Sequence, residues 1–179
     1  MVQLQNITVS GDLGIKINLN NVANTLNLNM IPSRFKRIQL KIVEPKCNVF
    51  VYSNGKYVIL GLNKFGDLKF AIYKLKEKLK SCGHKINKIS FNISNLVFSD
   101  KLPFRINLNE IHRRKIGTYE PELFPNAVVK IKDITFLIFH TGKVIITGSN
   151  DTHLINKTFN EIKNELSLCQ AFDEKRSIV

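Results

Sequence analysis

Val51-Tyr-Ser-Asn-Gly-Lys-Tyr-Val-Ile-Leu-Gly61 and Ile138-Phe-His-Thr-Gly-Lys-Val-Ile-Ile-Thr-Gly148 are two copies of one pattern. In each, an apolar run breaks at a Gly-Lys pair and then resumes. Asn54-Gly55 and Thr141-Gly142 supply the positive φ that a tight hairpin turn requires, so each stretch reads as two antiparallel strands. The echo extends outward. Lys16-Ile-Asn-Leu-Asn20 recurs as Arg105-Ile-Asn-Leu-Asn109, Gln5-Asn6-Ile7 as Ser94-Asn95-Leu96, and Arg34-Phe35 as Leu123-Phe124. An offset of 89 residues separates Asn6 from Asn95, Ile17 from Ile106 and Phe35 from Phe124, and 87 separates Gly55 from Gly142. Constant spacing over several separate segments marks a duplicated unit. Two-fold pseudo-symmetry suits a ligand that also repeats itself, such as a DNA duplex.

A repeat of about 90 residues buries only a thin core alone, so the 179 residues are expected to form one domain of two repeats, 1–84 and 85–179. The 27 Lys and Arg against 14 Asp and Glu leave a net charge of +13, which points to a polyanion, nucleic acid before anionic membrane. No apolar run approaches the ~18 residues of a membrane span, and no signal-peptide pattern opens the chain. Cys47, Cys82 and Cys169 are odd in number and widely spaced, which argues for a reducing compartment and against a disulfide framework or zinc site.

Each half reads as strand, short helix, several strands, long helix. The first half places them at about 3–10, 19–28, 34–61 and 64–81, the second at about 86–99, 107–116, 126–148 and 151–168. The long helices show apolar residues at 3–4 spacing: Leu68, Ala71, Ile72, Leu75 and Leu79, then Ile155, Phe159, Ile162 and Leu166. Pro45 marks a strand-to-strand turn. Period two in the hairpins sends Val49, Val51, Tyr57 and Ile59 one way and Phe50, Tyr52, Val58 and Leu60 the other. In the second repeat Phe136, Ile138, Val144 and Ile146 oppose Leu137, Phe139, Ile145 and Thr147. Both faces are apolar, yet four helices cover only one face of such a sheet, so the other face needs a partner.

Gln5-Asn6-Ile7, Arg34-Phe35, Glu44-Pro45-Lys46, Ser53-Asn54-Gly55-Lys56 and above all Tyr119-Glu-Pro-Glu-Leu-Phe-Pro125 resemble the TATA-box-binding protein core, as do Phe139, Gly142-Lys143 and Thr147-Gly148. The resemblance covers the chain from Val2 to about Phe172. It implies an α+β fold, a saddle of two pseudo-symmetric repeats whose curved antiparallel sheet carries helices on the convex face. The concave face would lie in the DNA minor groove, whose hydrogen-bond code is degenerate, so shape, deformability and apolar contact carry recognition.

The same resemblance implies roles for particular residues. Phe35 and Tyr52 in the first half, and Phe124 and Phe139 in the second, take the positions of wedges between base steps, with Pro125 beside Phe124. Asn6 and Asn95 take those of the central pair that bonds acceptors on the groove floor. Thr8, Phe50, Val58, Val97, Leu137 and Ile145 form the surface between, and Thr147 matches a base-contacting threonine. Arg34, Lys41, Lys56, Lys130 and Lys143 would neutralise phosphates. Glu120, Glu122 and Leu123 would meet transcription factor IIB, and the lysine-rich first long helix transcription factor IIA or acidic regulators. TBP-associated factors and the RNA polymerase machinery follow as partners, on A·T-rich promoter DNA in the nucleus. No membrane, metal or cofactor is implied, and the apolar face leaves a homodimer of the free protein open.

The chain also departs from the family pattern. Tyr52 replaces a wedge phenylalanine, Leu60 stands opposite Thr147, Thr8 replaces a valine, and two residues are missing between Val129 and Ile134. The second half is therefore expected to grip DNA in the usual way and the first to tolerate more sequences. One alternative is a TBP-like paralogue that acts mainly as a protein scaffold with weak TATA preference. Another is a DNA glycosylase, which shares a saddle-like domain but needs a further helical catalytic domain. His84, His112, His140 and His153 show no ligand spacing, and no nucleophile or phosphate-loop motif is present, so no enzyme is expected.

Overall fold

The two Gly-Lys turns form with φ of 89° at Gly55 and 82° at Gly142. The strands that flank them pair antiparallel, Phe50 opposite Val58 and Leu137 opposite Ile145. The computed structural model describes residues 2–31 and 36–171, and the side chains of 2–29 and 36–171. In chain order the elements are β1 (Gln3–Asp12), α1 (Leu19–Thr25), β2 (Met30–Ile31), β3 (Arg37–Ile42), β4 (Cys47–Tyr52), β5 (Lys56–Leu62) and α2 (Asp67–Ser81). There follow β6 (Ser90–Lys101), α3 (Leu108–Arg113), β7 (Asn126–Ile131), β8 (Ile134–Phe139), β9 (Lys143–Thr147) and α4 (Thr152–Ser167).

The chain divides into two compact units, Leu4–Leu96 and Val97–Val179 with Met1–Gln3. The strands of the first lie in the order β2-β3-β4-β5-β1, those of the second in the order β6-β9-β8-β7. Within each unit the pairing is antiparallel. One connection differs in length. Four residues, 43–46, join β3 to β4, where Ile42 faces Cys47; two, 132–133, join β7 to β8, where Ile131 faces Ile134. That difference is the pair missing from the second repeat, and it lowers the repeat offset from 89 to 87. The shorter turn forces Lys132 to φ 54°, a left-handed conformation that costs a non-glycine residue about 1 kcal/mol.

Local chemistry sets the helix ends. Asn18 and Asn107 cap α1 and α3 by accepting from the N–H groups of Asn21 and Asn109, both at 3.1 Å; such caps contribute about 1 kcal/mol each. Asp151 caps α4 through the N–H groups of His153 and Leu154. At their C-terminal ends α1, α2 and α3 close alike, with Asn27, Gly83 and Lys115 at φ 50°, 82° and 59°. The following N–H groups reach back to Ala23, Leu79 and Ile111 at 2.8, 3.0 and 3.0 Å. This closure stops α1 and α3 short of the residues 28 and 116 to which the apolar spacing pointed: Leu28 and Ile116 belong to the closing turn. Likewise β6 starts at Ser90 rather than residue 86, since Ile86 is buried from within the loop after α2.

The alternation expected in the hairpins defines the core. Val49, Val51, Tyr57 and Ile59 are wholly buried, as are Phe136, Ile138, Val144 and Ile146. Helix α2 adds Leu68, Ala71, Ile72, Leu75 and Leu79 to the first unit; α4 adds Ile155, Thr158, Phe159, Ile162 and Leu166 to the second. Each fully buried Val, Leu, Ile or Phe contributes about 1.5–3 kcal/mol relative to exposure. Phe136 stacks on Phe159 with ring centroids 6.2 Å apart. Lys163 lies 4.4 Å above that ring and 3.4 Å from Asp100. In the first unit the hydroxyl of buried Tyr57 donates to the Ser90 carbonyl at 3.1 Å, and burial, with Asp12 nearby, pushes its pKa up to about 12.

Candidate nucleic-acid interface

The strand residues that point away from the helices keep the expected apolar character. Phe50, Tyr52, Val58 and Leu60 are half-buried, as are Leu137, Phe139, Ile145 and Thr147. Cross-strand register groups them. In the first unit Phe50 faces Val58 and Asn48 faces Leu60; in the second Leu137 faces Ile145 and Thr135 faces Thr147. One strand further out, Lys41 faces Asn48 and Lys130 faces Thr135. The two faces thus share one register, residue for residue. On β6, Ser99 faces Ile145, with Val97 half-buried two positions before it.

Electrostatics favour a polyanion on these faces. The strands β3, β4, β5, β7, β8 and β9 contain no Asp or Glu. Lys41, Lys56, Lys130 and Lys143 are exposed on them. A cation-bearing, half-exposed apolar surface can take a ligand with negative rims and an aromatic or sugar interior.

Asn6 is held in place. Its side-chain carbonyl accepts from the Gly61 N–H at 2.7 Å, and its amide donates to the Thr8 hydroxyl at 3.2 Å. The register between β1 and β5 slips between Ile7 and Val9, and Gly61, at φ 100°, lies at the slip. The extra residue leaves a backbone N–H out of the ladder, and Asn6 takes it up. An amide fixed through its oxygen keeps its remaining N–H for an outside acceptor. Asn95 is half-buried on β6.

The second-half wedge positions stand differently. Phe139 ends β8 opposite Asn126, while Phe124 precedes β7 in a loop and is 60% exposed, beside Leu123 at 66%. Glu120, Glu122 and Pro125 are exposed in the same loop, whose Glu120 carbonyl accepts from the N–H groups of Leu123 and Phe124, both at 3.0 Å. Arg34 and Phe35 lie outside the described residues.

Three residues on the first outward face were not anticipated. Arg37 faces Tyr52, Gln39 faces Phe50, and Gln39 donates to Asn48 at 2.8 Å. Period two would have found them, since Arg37 and Gln39 share a side with Lys41. The cysteines are free and buried, and burial, with Asp67 nearby, pushes the Cys47 thiol up to about 11. Among the described residues no cluster of His, Cys, Asp and Glu could hold a metal ion, and no helix is long and apolar enough to cross a membrane.

Together these features define an α+β protein with duplicated, cation-bearing sheet faces. A family model described as "Transcription factor TFIID (or TATA-binding protein, TBP)" matches residues 1–82 and 90–169, and the chain belongs to that family. It is 35% identical over 164 residues to a TATA-box-binding protein-like 1 of Entamoeba histolytica, covering 89% of this chain and 76% of that one. To the TATA-box-binding protein of Saccharomyces cerevisiae it is 32% identical over 169 residues, covering 92% and 70%. The structure of Methanococcus jannaschii TBP superposes with a TM-score of 0.80 at 28% identity, covering 93% of this chain and 98% of that one. The fold class expected from the sequence is therefore the family's. That fold is a non-enzymatic, DNA-binding transcription-factor fold, and its general partners are promoter DNA and the transcription machinery.

Proposed function

We propose that the chain is a general initiation factor of the nucleus that binds A·T-rich promoter DNA in the minor groove, bends it and nucleates preinitiation-complex assembly. The matched register of two half-exposed apolar faces, whose strands β3–β5 and β7–β9 carry no acid, supports this reading. In it, the repeats 1–84 and 85–179 act as one domain on one duplex. Phe124 and Phe139 wedge base steps in one half-site, Tyr52 with Phe35 in the other. Asn6, Thr8, Asn95 and Thr147 bond groove-floor acceptors, and Phe50, Val58, Leu60, Val97, Leu137 and Ile145 fill the groove. Arg34, Lys41, Lys56, Lys130 and Lys143 meet phosphates, so affinity falls steeply with salt. The exposed loop with Glu120, Glu122 and Leu123 suits transcription factor IIB. The lysines of α2 suit transcription factor IIA and TBP-associated factors.

A second reading, a protein scaffold with weak TATA preference, draws on Tyr52 and Leu60 and on the likeness to a relative named TATA-box-binding protein-like 1. Titrating the protein against a TATA duplex and a G·C-scrambled control, at two salt concentrations with a fluorescent bend reporter, separates the two. Strong A·T preference and a bend are expected. The double change Phe124→Ala with Phe139→Ala should abolish the bend and weaken binding about thirtyfold or more, at about 2 kcal/mol or above for a buried aromatic anchor. Tyr52→Ala should weaken it less. Equal affinities without a bend would favour the scaffold.

A further inference from the structure

The outward face of the first unit carries a polar strip that the second matches only in part. Arg37 lies with its guanidinium carbon 4.8 Å from the centre of the Phe50 ring. Its Nε is shut off from solvent without a hydrogen-bond partner among the described residues. The ring, rather than an acid, holds this cation: β3, β4 and β5 offer no carboxylate. Beside it, Gln39 donates to Asn48 across the strands at 2.8 Å. At the same register positions the second unit has Asn126, Val128 and Thr135. One unit therefore presents a seated cation and an amide pair where the other presents one amide, an aliphatic side chain and a hydroxyl.

The chemistry of the minor groove gives this difference a meaning. An A·T pair shows only acceptors there, adenine N3 and thymine O2, whereas a G·C pair adds the guanine amino donor. A guanidinium is all donor, so the first floor satisfies it and the second repels it. Arginine is also drawn to the enhanced negative potential of narrow A·T grooves. Seated on Phe50, Arg37 has less side-chain freedom to lose on binding. We infer that Arg37 is a specificity-determining residue of the first repeat, which rejects guanine in one half-site, with Gln39 and Asn48 bracing its strand. The inference rests on the outward face being the minor-groove surface. It gives the first repeat a hydrogen-bonding reader that the second lacks at the matching position, Asn126.

The test uses the full chain and an asymmetric A·T-rich duplex, with one G·C pair placed in either half and inosine·cytosine in place of each G·C. Inosine lacks the amino group, so it restores the A·T groove floor. Arg37→Ala should weaken A·T binding about fivefold or more and remove most of the G·C penalty in one half only. Arg37→Lys, which keeps the charge but loses the planar fork, should fall between. Phe139→Ala should change the response to substitution in the opposite half. Circular dichroism confirms that each variant folds. Uniform weakening on every duplex with a salt slope lower by about 1 would assign Arg37 to a phosphate and overturn the inference, as would unchanged discrimination. If the unsubstituted protein binds all duplexes alike, the minor-groove reading falls first and this one with it.

Discussion

The two units use one strand register to build unlike surfaces and unlike cores. On the outward faces Tyr52 corresponds to Phe139, Leu60 to Thr147, Gln39 to Val128 and Arg37 to Asn126, each pair at the same place in its ladder. On the inner faces Val49 corresponds to Phe136 and Tyr57 to Val144. Hydrogen-bond geometry thus holds while side-chain chemistry drifts. The backbone ladder depends little on which side chains occupy it, whereas contact with a ligand depends on them directly. The first unit places polar groups on the outward side of β3 and β4 and a phenol in its core. The second has Asn126 and Val128 at the places of Arg37 and Gln39, and stacks Phe136 on Phe159 inside.

The core comparison should break most visibly at Phe136. Phe136→Ala removes a fully buried, stacked ring and should destabilise by about 3–5 kcal/mol, against about 2 kcal/mol for Val49→Ala. Denaturant unfolding measures both, and equal losses would mean that the second core does not depend on its aromatic pair. A smaller effect follows from the phenol. Because the pKa of Tyr57 is raised from 10.0 to about 12, its contribution is fully present below pH 10 and is lost as pH climbs toward 12, where the unfolded chain ionises first. Tyr57→Phe should flatten this alkaline decline and remove a phenol that titrates near pH 12 from the ultraviolet absorbance curve. Val144 gives the second unit no such step. Least of all, Lys132→Gly should relieve the left-handed residue in the short β7–β8 turn and raise stability by about 0.5–1 kcal/mol, read as a small increase in Tm. A decrease would show that the turn is not strained.

Much of this was legible in the chain. Repetition at 89 and 87 residues announced the matching strand registers, and period two separated Val49 from Phe50 and Phe136 from Leu137. The missing pair before Ile134 foretold the shorter turn. Helix ends were less legible, because Leu28 and Ile116 continue an apolar pattern into turns that Asn27 and Lys115 close. Arg37, among Arg34, Lys36 and Lys41, reads in the chain as ordinary surface charge; only the ring of Phe50 beneath it gives it a place.

By itself the sequence determined the duplicated α+β plan, the faces of each strand and the family. Those depend on periodicity and on turn chemistry, which are local and survive in a linear string. The tertiary structure decided that Asn6 is clamped by the Gly61 N–H, 55 residues away, that Arg37 is seated on Phe50, and that Gln39 is tied to Asn48. Each joins residues that only strand register brings together, and register is set by how the whole sheet packs on its helices.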